Sequence, residues 1–220
     1  MLRLFIVCWF VVINPALAAD TENCRNGIFA RQQTTFGLAK VIGAPRAYLR
    51  SDVAPCPDES AACRGRAYVL PRDTVITGVA NGPYVCAFFA GPRGGSAGYV
   101  RQDEIAPQPE PANPPLGEWL GTWRDGDNQI VLNRDGAKLT ADGEAYWPSA
   151  HPSAKDRPGG PNLGNMGGTA APTSNTVAFA GGTSDECRVA LTLLPPFLLA
   201  ADNMNCGGMN VSFTGVYRKR

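Results

Sequence analysis

The chain is 220 residues long, 44% apolar and 18% charged, with 20 Lys+Arg, 19 Asp+Glu and a single histidine. A formal net charge of +1 with no concentrated basic run excludes a protein built to neutralise nucleic-acid phosphates. One histidine excludes a multi-histidine metal site and leaves one residue, His151, through which any Ser-His-Asp or Cys-His triad would have to pass.

Residues 1–18 read as a secretory signal peptide: Met1-Leu2-Arg3 opens with a charge, Leu4 to Ile13 is apolar, and Ala16-Leu17-Ala18 is a small-residue cleavage pattern. The apolar run is about ten residues, whereas a helix crossing a bilayer needs roughly 20, so no stable membrane anchor is expected after cleavage. Asp20, Thr21, Glu22 and Asn23 stand before Cys24, so a lipidated amino terminus is not expected either. Without Arg3 the 20 bases and 19 acids become 19 and 19, and bulk charge names no partner. The expected location is periplasmic or secreted.

Cys8 leaves with the signal, and Cys24, Cys56, Cys63, Cys86, Cys187 and Cys206 remain, an even set in a chain bound for an oxidising compartment. Cys187 and Cys206 stand alone in the second half and should pair. That leaves three ways to join the first four, among which Cys56 with Cys63 and Cys24 with Cys86 is favoured: one closes a tight polar loop, the other ties the amino terminus to a strand.

A proline-alternating stretch at 107–115, Pro-Gln-Pro-Glu-Pro-Ala-Asn-Pro-Pro, holds the chain extended and separates a unit at 19–106 from one at 116–220. In the first unit, short alternating runs predict strands at Ala47 to Arg50, Ala67 to Leu70, Thr74 to Ala80, Tyr84 to Ala90 and Gly98 to Arg101. Asn81-Gly82 and the Gly91 to Gly95 stretch supply hairpin turns. Five short strands without helical periodicity predict a small barrel.

Three pieces of this unit, Ala47-Tyr48-Leu49-Arg50-Ser51, Tyr68-Val69-Leu70-Pro71-Arg72-Asp73 and Gly98-Tyr99-Val100-Arg101, resemble in order and spacing the strands of bacterial SH3-like domains over residues 38–106. The departure is an insert, Val53 to Arg64, carrying two cysteines. The resemblance implies a small β-barrel that binds, often to cell-wall peptides, and does not catalyse. On it Tyr48, Arg50, Tyr84, Tyr99 and Arg101 form a candidate groove, because rings stack and guanidinium groups pair with free carboxylates.

In the second unit the predicted strands are Glu118 to Trp123, Gln129 to Asn133, Ala137 to Ala141, Glu144 to Trp147, Thr176 to Ala180, Arg188 to Leu194, Phe197 to Ala201 and Asn210 to Tyr217. Turns are expected at Asp125-Gly126, Asp135-Gly136, Asp142-Gly143, Gly181-Gly182 and Pro195-Pro196. This pattern fits an antiparallel up-and-down barrel or sandwich, closed by pairing Trp119-x-Gly121-x-Trp123 with Phe213-x-Gly215-x-Tyr217. The closing run from Asp202 to Tyr217 resembles the end of secreted proteobacterial domains of unassigned role. Between Trp147 and Asn175 a long proline- and glycine-rich loop is expected, the interaction candidate of this half.

Glu118, Asp125, Asp127, Asp142 and Glu144 are the carboxylates a wall hydrolase would use, but most stand in turn positions. Asp125-Gly126-Asp127-Asn128 lacks the later glutamate of a calcium loop. The whole chain is thus expected to be all-β, an SH3-like barrel followed by an antiparallel barrel or sandwich. Its expected role is that of an exported non-catalytic binding protein without metal or cofactor, recognising peptidoglycan (wall peptide or polymer) or a periplasmic protein. The alternatives are an inhibitor or regulator of a wall-degrading enzyme, or a carboxylate-dependent wall hydrolase.

Overall fold

The computed structural model describes residues 24–32, 35–43, 45–91, 94–109, 112–182 and 186–220. The signal peptide expected at 1–18 lies outside the described residues. The fold is all-β, with two antiparallel sheets.

The first sheet comprises β1 (Gly37–Val41), β2 (Ala47–Arg50), β3 (Arg64–Val69), β4 (Thr74–Asn81), β5 (Tyr84–Gly91), β6 (Gly94–Arg101) and β7 (Ile105–Pro107), seven strands in the order β3-β2-β6-β5-β4-β1-β7. Apolar residues alternating along these strands meet in one core of Ala39, Val41, Leu49, Val69, Val75, Val85, Ala87 and Val100. The strands at β1 and β7 go beyond the five the sequence pattern predicts. β3 starts at Arg64 instead of Ala67, and β6 at Gly94 instead of Gly98. The β4–β5 turn falls at Gly82-Pro83, one residue later than expected, since Asn81 pairs with Tyr84 and Gly82 takes the positive φ of 56°. Gly98 is required where β2 crosses β6, because a Cβ there would lie 2.7 Å from Leu49 Cβ and 2.9 Å from the Arg50 carbonyl oxygen.

After a short helix α1 (Leu116–Trp119), the second sheet runs β8 (Gly121–Asp125), β9 (Asn128–Asp135), β10 (Lys138–Trp147), β11 (Asn162–Ala170), β12 (Thr176–Ala180), β13 (Arg188–Leu194), β14 (Phe197–Asp202) and β15 (Gly215–Lys219). Each strand pairs with its neighbour in sequence except across β11 and β12. β15 returns to β8 through Arg218↔Arg124 and Lys219↔Trp123, the closure expected from the two aromatic-glycine-aromatic ends. The β11–β12 seam carries a Met166↔Gly182 bridge, so the eight strands make a nearly closed barrel. An eight-stranded interior is just wide enough for side chains, and here Trp119, Trp123, Ile130, Leu132, Leu139, Leu191, Leu198, Phe213 and Tyr217 fill it.

Four expectations in this half are corrected. Asp142-Gly143 is no turn: β10 runs through it for ten residues, and Gly143 faces inward because a Cβ would sit 2.6 Å from Met166 Cγ and 3.0 Å from Phe213. The glycine-rich part of the long 147–175 loop is β11, paired along β10 from Leu139↔Ala170 to Trp147↔Asn162, which leaves a loop of residues 148–161. The opening segment is helix then strand, with α1 laying Trp119 into the barrel core. At the other end of the unit the last strand begins at Gly215, not Asn210.

The two sheets share a buried cluster. On β13 to β15, Leu193, Leu198, Ala200 and Tyr217 point into the barrel while Leu194, Phe197, Leu199 and Val216 point out, yet the outward set is buried too. What covers it is Cys24, Phe29 and Ala30 at the 3-10 turn Phe29–Arg31, and Phe36, backed by Ile76, Tyr84, Cys86 and Tyr99 of the first sheet. Phe29 packs on Phe36 and Phe88 with ring centroids 5.4 and 5.3 Å apart. Gln32 pins the same segment by accepting from the Val79 amide at 2.7 Å.

All three disulfides form in the favoured pairing: Cys24–Cys86, Cys56–Cys63 and Cys187–Cys206, with Cα–Cα distances of 5.5, 5.4 and 4.5 Å. Three such bonds are the mark of an oxidising, extracytoplasmic compartment. Among the described residues no helix is long and apolar enough to cross a membrane.

Candidate ligand-binding surface

The five side chains singled out in the first sheet divide among three places. Arg50 ends β2, Tyr84 opens β5 and Arg101 ends β6, and the registers Tyr84↔Arg101 and Arg50↔Tyr99 bring these three together. They converge on a carboxylate of the chain itself. Glu59, on the loop closed by Cys56–Cys63, accepts from Arg50 Nη2 at 2.7 Å, from the Tyr84 hydroxyl at 2.7 Å and from Arg101 Nη1 at 3.4 Å. Arg50 is further held by the carbonyl oxygens of Asp58 and Tyr48 at 3.1 and 3.2 Å, and Arg101 by Asp103 at 2.8 Å. The Tyr84 hydroxyl, then the guanidinium groups, keep the Glu59 carboxyl below its ordinary range. Glu59 in turn raises the Tyr84 phenol, and Asp103 with Glu59 raises Arg101. The insert that departs from the SH3-like pattern is therefore fastened to the sheet through its own glutamate.

Tyr99 is elsewhere: it is fully buried in the cluster between the sheets and presents no surface. Tyr48 stands on the exposed side of the β2–β3 pair, and there it joins residues that the sequence reading left out. Tyr48 lies opposite Tyr68 in register, with ring centroids 5.8 Å apart. Arg64 stacks over Tyr48 at 3.4 Å from the ring centroid, and Arg46 over Tyr68 at 4.6 Å. Hydrogen bonds from Arg46, then Arg64, lower the Tyr48 phenol, and the Tyr48 contact raises Arg46. Arg66, also exposed, follows on the same strand. Arg25, Arg50 and Arg101 each face a carboxylate, whereas among the described residues none lies within ion-pair distance of Arg46, Arg64 or Arg66. The sequence carries the signal for this surface in Arg46-x-Tyr48 and Arg64-x-Arg66-x-Tyr68, the two-residue period of a strand, but Arg64 also reads as the end of the cysteine insert.

Behind the same strand, a hollow of about 390 Å³ is lined by Leu49, Ala67 and Phe89, with Arg66 and Tyr68 at its edge and Gly94, Gly95 and Ser96 across from them. Stacked guanidinium groups have lost much of their side-chain freedom before any ligand arrives. The arrangement offers positive, planar, hydrogen-bond-donating groups above aromatic rings, which is the chemistry that recognises carboxylates.

The second sheet offers no comparable set. Glu118, Asp127, Asp142, Glu144 and His151 are exposed. Asp127 accepts from the Ala150 amide at 2.9 Å and so anchors the 148–161 loop, while Glu144 accepts from the Tyr146 hydroxyl at 3.1 Å. Asp125 closes the β8–β9 hairpin opposite Asn128, and desolvation raises its carboxyl. Among the described residues no group of three or more His, Cys, Asp or Glu is placed to hold a metal ion.

Among known proteins, no family model, no curated protein and no solved structure matches the chain. The functional reading therefore rests on the chemistry of these side chains.

Proposed function

We propose that the protein is an exported, non-catalytic binding protein of SH3-like type whose β2–β3 surface recognises carboxylate groups on a cell-wall peptide or polymer. The observation that carries this reading is the set Arg46, Arg64 and Arg66: guanidinium groups unpaired with any described carboxylate, two of them stacked on Tyr48 and Tyr68, at the edge of the sheet. The segments that resemble SH3-like domains fall on β2, on the β3–β4 corner and on β6, which supports the same reading. An exposed ion pair contributes at most about 1 kcal/mol, so useful affinity requires a ligand carrying several carboxylates. A wall polymer with repeated acidic peptides meets that requirement.

The test is cosedimentation of the mature protein with purified wall sacculi, for the wild type and for Arg46→Ala/Arg64→Ala/Arg66→Ala. The wild type is expected to pellet with sacculi, less so at high salt because exposed charges are screened. The triple variant is expected to lose at least about tenfold in affinity, about 1.4 kcal/mol or more. Equal retention of a correctly folded triple variant contradicts the proposal.

A further inference from the structure

The same edge fixes how a ligand chain would lie. β3 ends the first sheet, paired with β2 on one side only. Among the described residues no backbone hydrogen bond outside that pairing reaches Gly65 to Val69, so the outer N–H and C=O groups there are open; the register with β2 shifts between Tyr48↔Tyr68 and Arg50↔Arg64, so the regular part of this edge is at Tyr68 and Val69 and residues 65–67 form a bulge. The other margins offer less. β7, at the far edge, has only three residues and ends in Pro107, which lacks an N–H. The barrel seam is bridged at Met166↔Gly182, and β11 is further bridged at Gly164↔Gly207.

Resting on the carboxylate reading above, we infer that an extended peptide adds to the first sheet as a strand along β3, with acidic side chains at every second position and apolar side chains between them. Successive residues of a strand point to opposite faces of a sheet. On one face the added strand would meet Arg46 and Arg64 above their tyrosines; beside it lies the 390 Å³ hollow, with Leu49, Ala67 and Phe89 as its apolar wall and Arg66 and Tyr68 on its rim. Glycines at 94 and 95 leave the opposite rim of that hollow without bulky side chains. Main-chain bonds to β3 would supply affinity, and the charged-face and apolar-face pockets would read the alternation. Charged residues on an edge strand also guard it against pairing with neutral or basic chains. The same arginines would then select the one class of chain that neutralises them.

The experiment titrates the full mature chain with three acetylated synthetic peptides of equal composition: alternating Glu and Val, the same peptide N-methylated on the amides facing β3, and an isomer with the glutamates contiguous. Amide hydrogen exchange of residues 64–69 is followed in parallel. The alternating peptide is expected to bind and to slow exchange along β3. N-methylation and the contiguous order are each expected to weaken binding by about tenfold, the loss of one to two main-chain or charge-assisted bonds. If the N-methylated peptide binds as tightly as its parent while the triple arginine variant binds neither, strand addition is overturned and carboxylate recognition stands. If no peptide binds, strand addition is overturned as well, and the sacculus experiment decides the fate of the broader reading.

Discussion

Arg31 and Asp202 join the two sheets: Arg31 Nη2 lies 3.3 Å from Asp202 Oδ1, and the Asp202 side chain is wholly buried. The guanidinium also donates from Nε to Thr214 Oγ1 at 3.1 Å. Asp202 in turn accepts from Ser212 Oγ at 2.9 Å, Thr214 Oγ1 at 2.9 Å and the Phe213 amide at 2.8 Å. One carboxylate thus organises the irregular approach to β15 and receives the segment that Cys24–Cys86 ties to the first sheet.

Asp202→Ala should be far more damaging than Arg31→Ala. It strands several buried donors at once and is expected to cost about 3–5 kcal/mol, against about 1 kcal/mol for removing Arg31, whose partner keeps its other donors. Urea unfolding of both variants measures the difference.

Cutting the tether should uncouple the sheets. Cys24 and Cys86 are 62 residues apart in sequence, and on the chain-entropy account a loop of that size is stabilised by about 4 kcal/mol. With Cys24→Ser/Cys86→Ser and Phe29→Ala combined, two calorimetric transitions are expected where the wild type shows one. A single transition shifted as a whole would mean that the shared cluster holds without its clasp.

Glu59 and Asp125 should move stability with pH in opposite directions. The Glu59 carboxyl is held below its ordinary 4.5, so its contribution is complete above that value and is lost as pH falls through the lower, folded-state value. Glu59→Gln should remove that acid-side loss and cost about 1 kcal/mol at neutral pH, a small figure because Glu59 is 57% exposed and solvent screens its pairs. The Asp125 carboxyl is raised above its ordinary 3.8 by desolvation, partly opposed by a bond from the Val216 amide. Its ionised form is therefore penalised at neutral pH, and the penalty is relieved as pH falls through the raised value. Because Asp125 keeps part of its surface in water, Asp125→Asn is expected to stabilise the protein only slightly at neutral pH and to leave it unchanged below 3.8. Denaturant titrations across that range read both slopes.

Gly164→Ala should loosen the barrel seam, since the new Cβ would lie 2.5 Å from the Cys206 carbonyl oxygen where β11 is bridged to Gly207. Backbone must move to relieve that contact, at a cost of about 1–3 kcal/mol, read as a lowered unfolding midpoint.

Much of this architecture is legible in the residues. Thr176–Ala180 and Arg188–Leu194 alternate cleanly, and both become strands with the expected bounds, because only their inner face is buried along most of their length. The paired aromatic ends at β8 and β15 close the barrel as their spacing indicates. Where the reading fails, a tertiary contact has overridden a local signal. Asp142-Gly143 has the composition of a turn, but Gly143 is small to admit Met166. The glycines of β11 suit a loop equally well, yet Gly164 serves close approach to Gly207. Leu193 to Ala201 breaks alternation because its strands are covered on both sides, a sign that the halves are packed together. Of the candidate site, Tyr48 and Tyr68 both fall in strands legible in the sequence, whereas Arg64 and Arg66 join it only because β3 begins at Arg64, and Arg46 because its side chain reaches over Tyr68. Tyr99 has the composition of a binding residue and the position of a core one.

Carboxylate recognition by Arg46, Arg64 and Arg66 can be read residue by residue by titrating ¹⁵N-labelled mature protein with wall peptide fragments whose carboxylates are free or amidated. The expected result is saturable shifts at the Arg46, Arg64 and Arg66 side-chain and backbone resonances with the free acids, reduced about tenfold or more in affinity on amidation. Equal binding of the amidated fragments, or shifts confined to the second sheet, would contradict it.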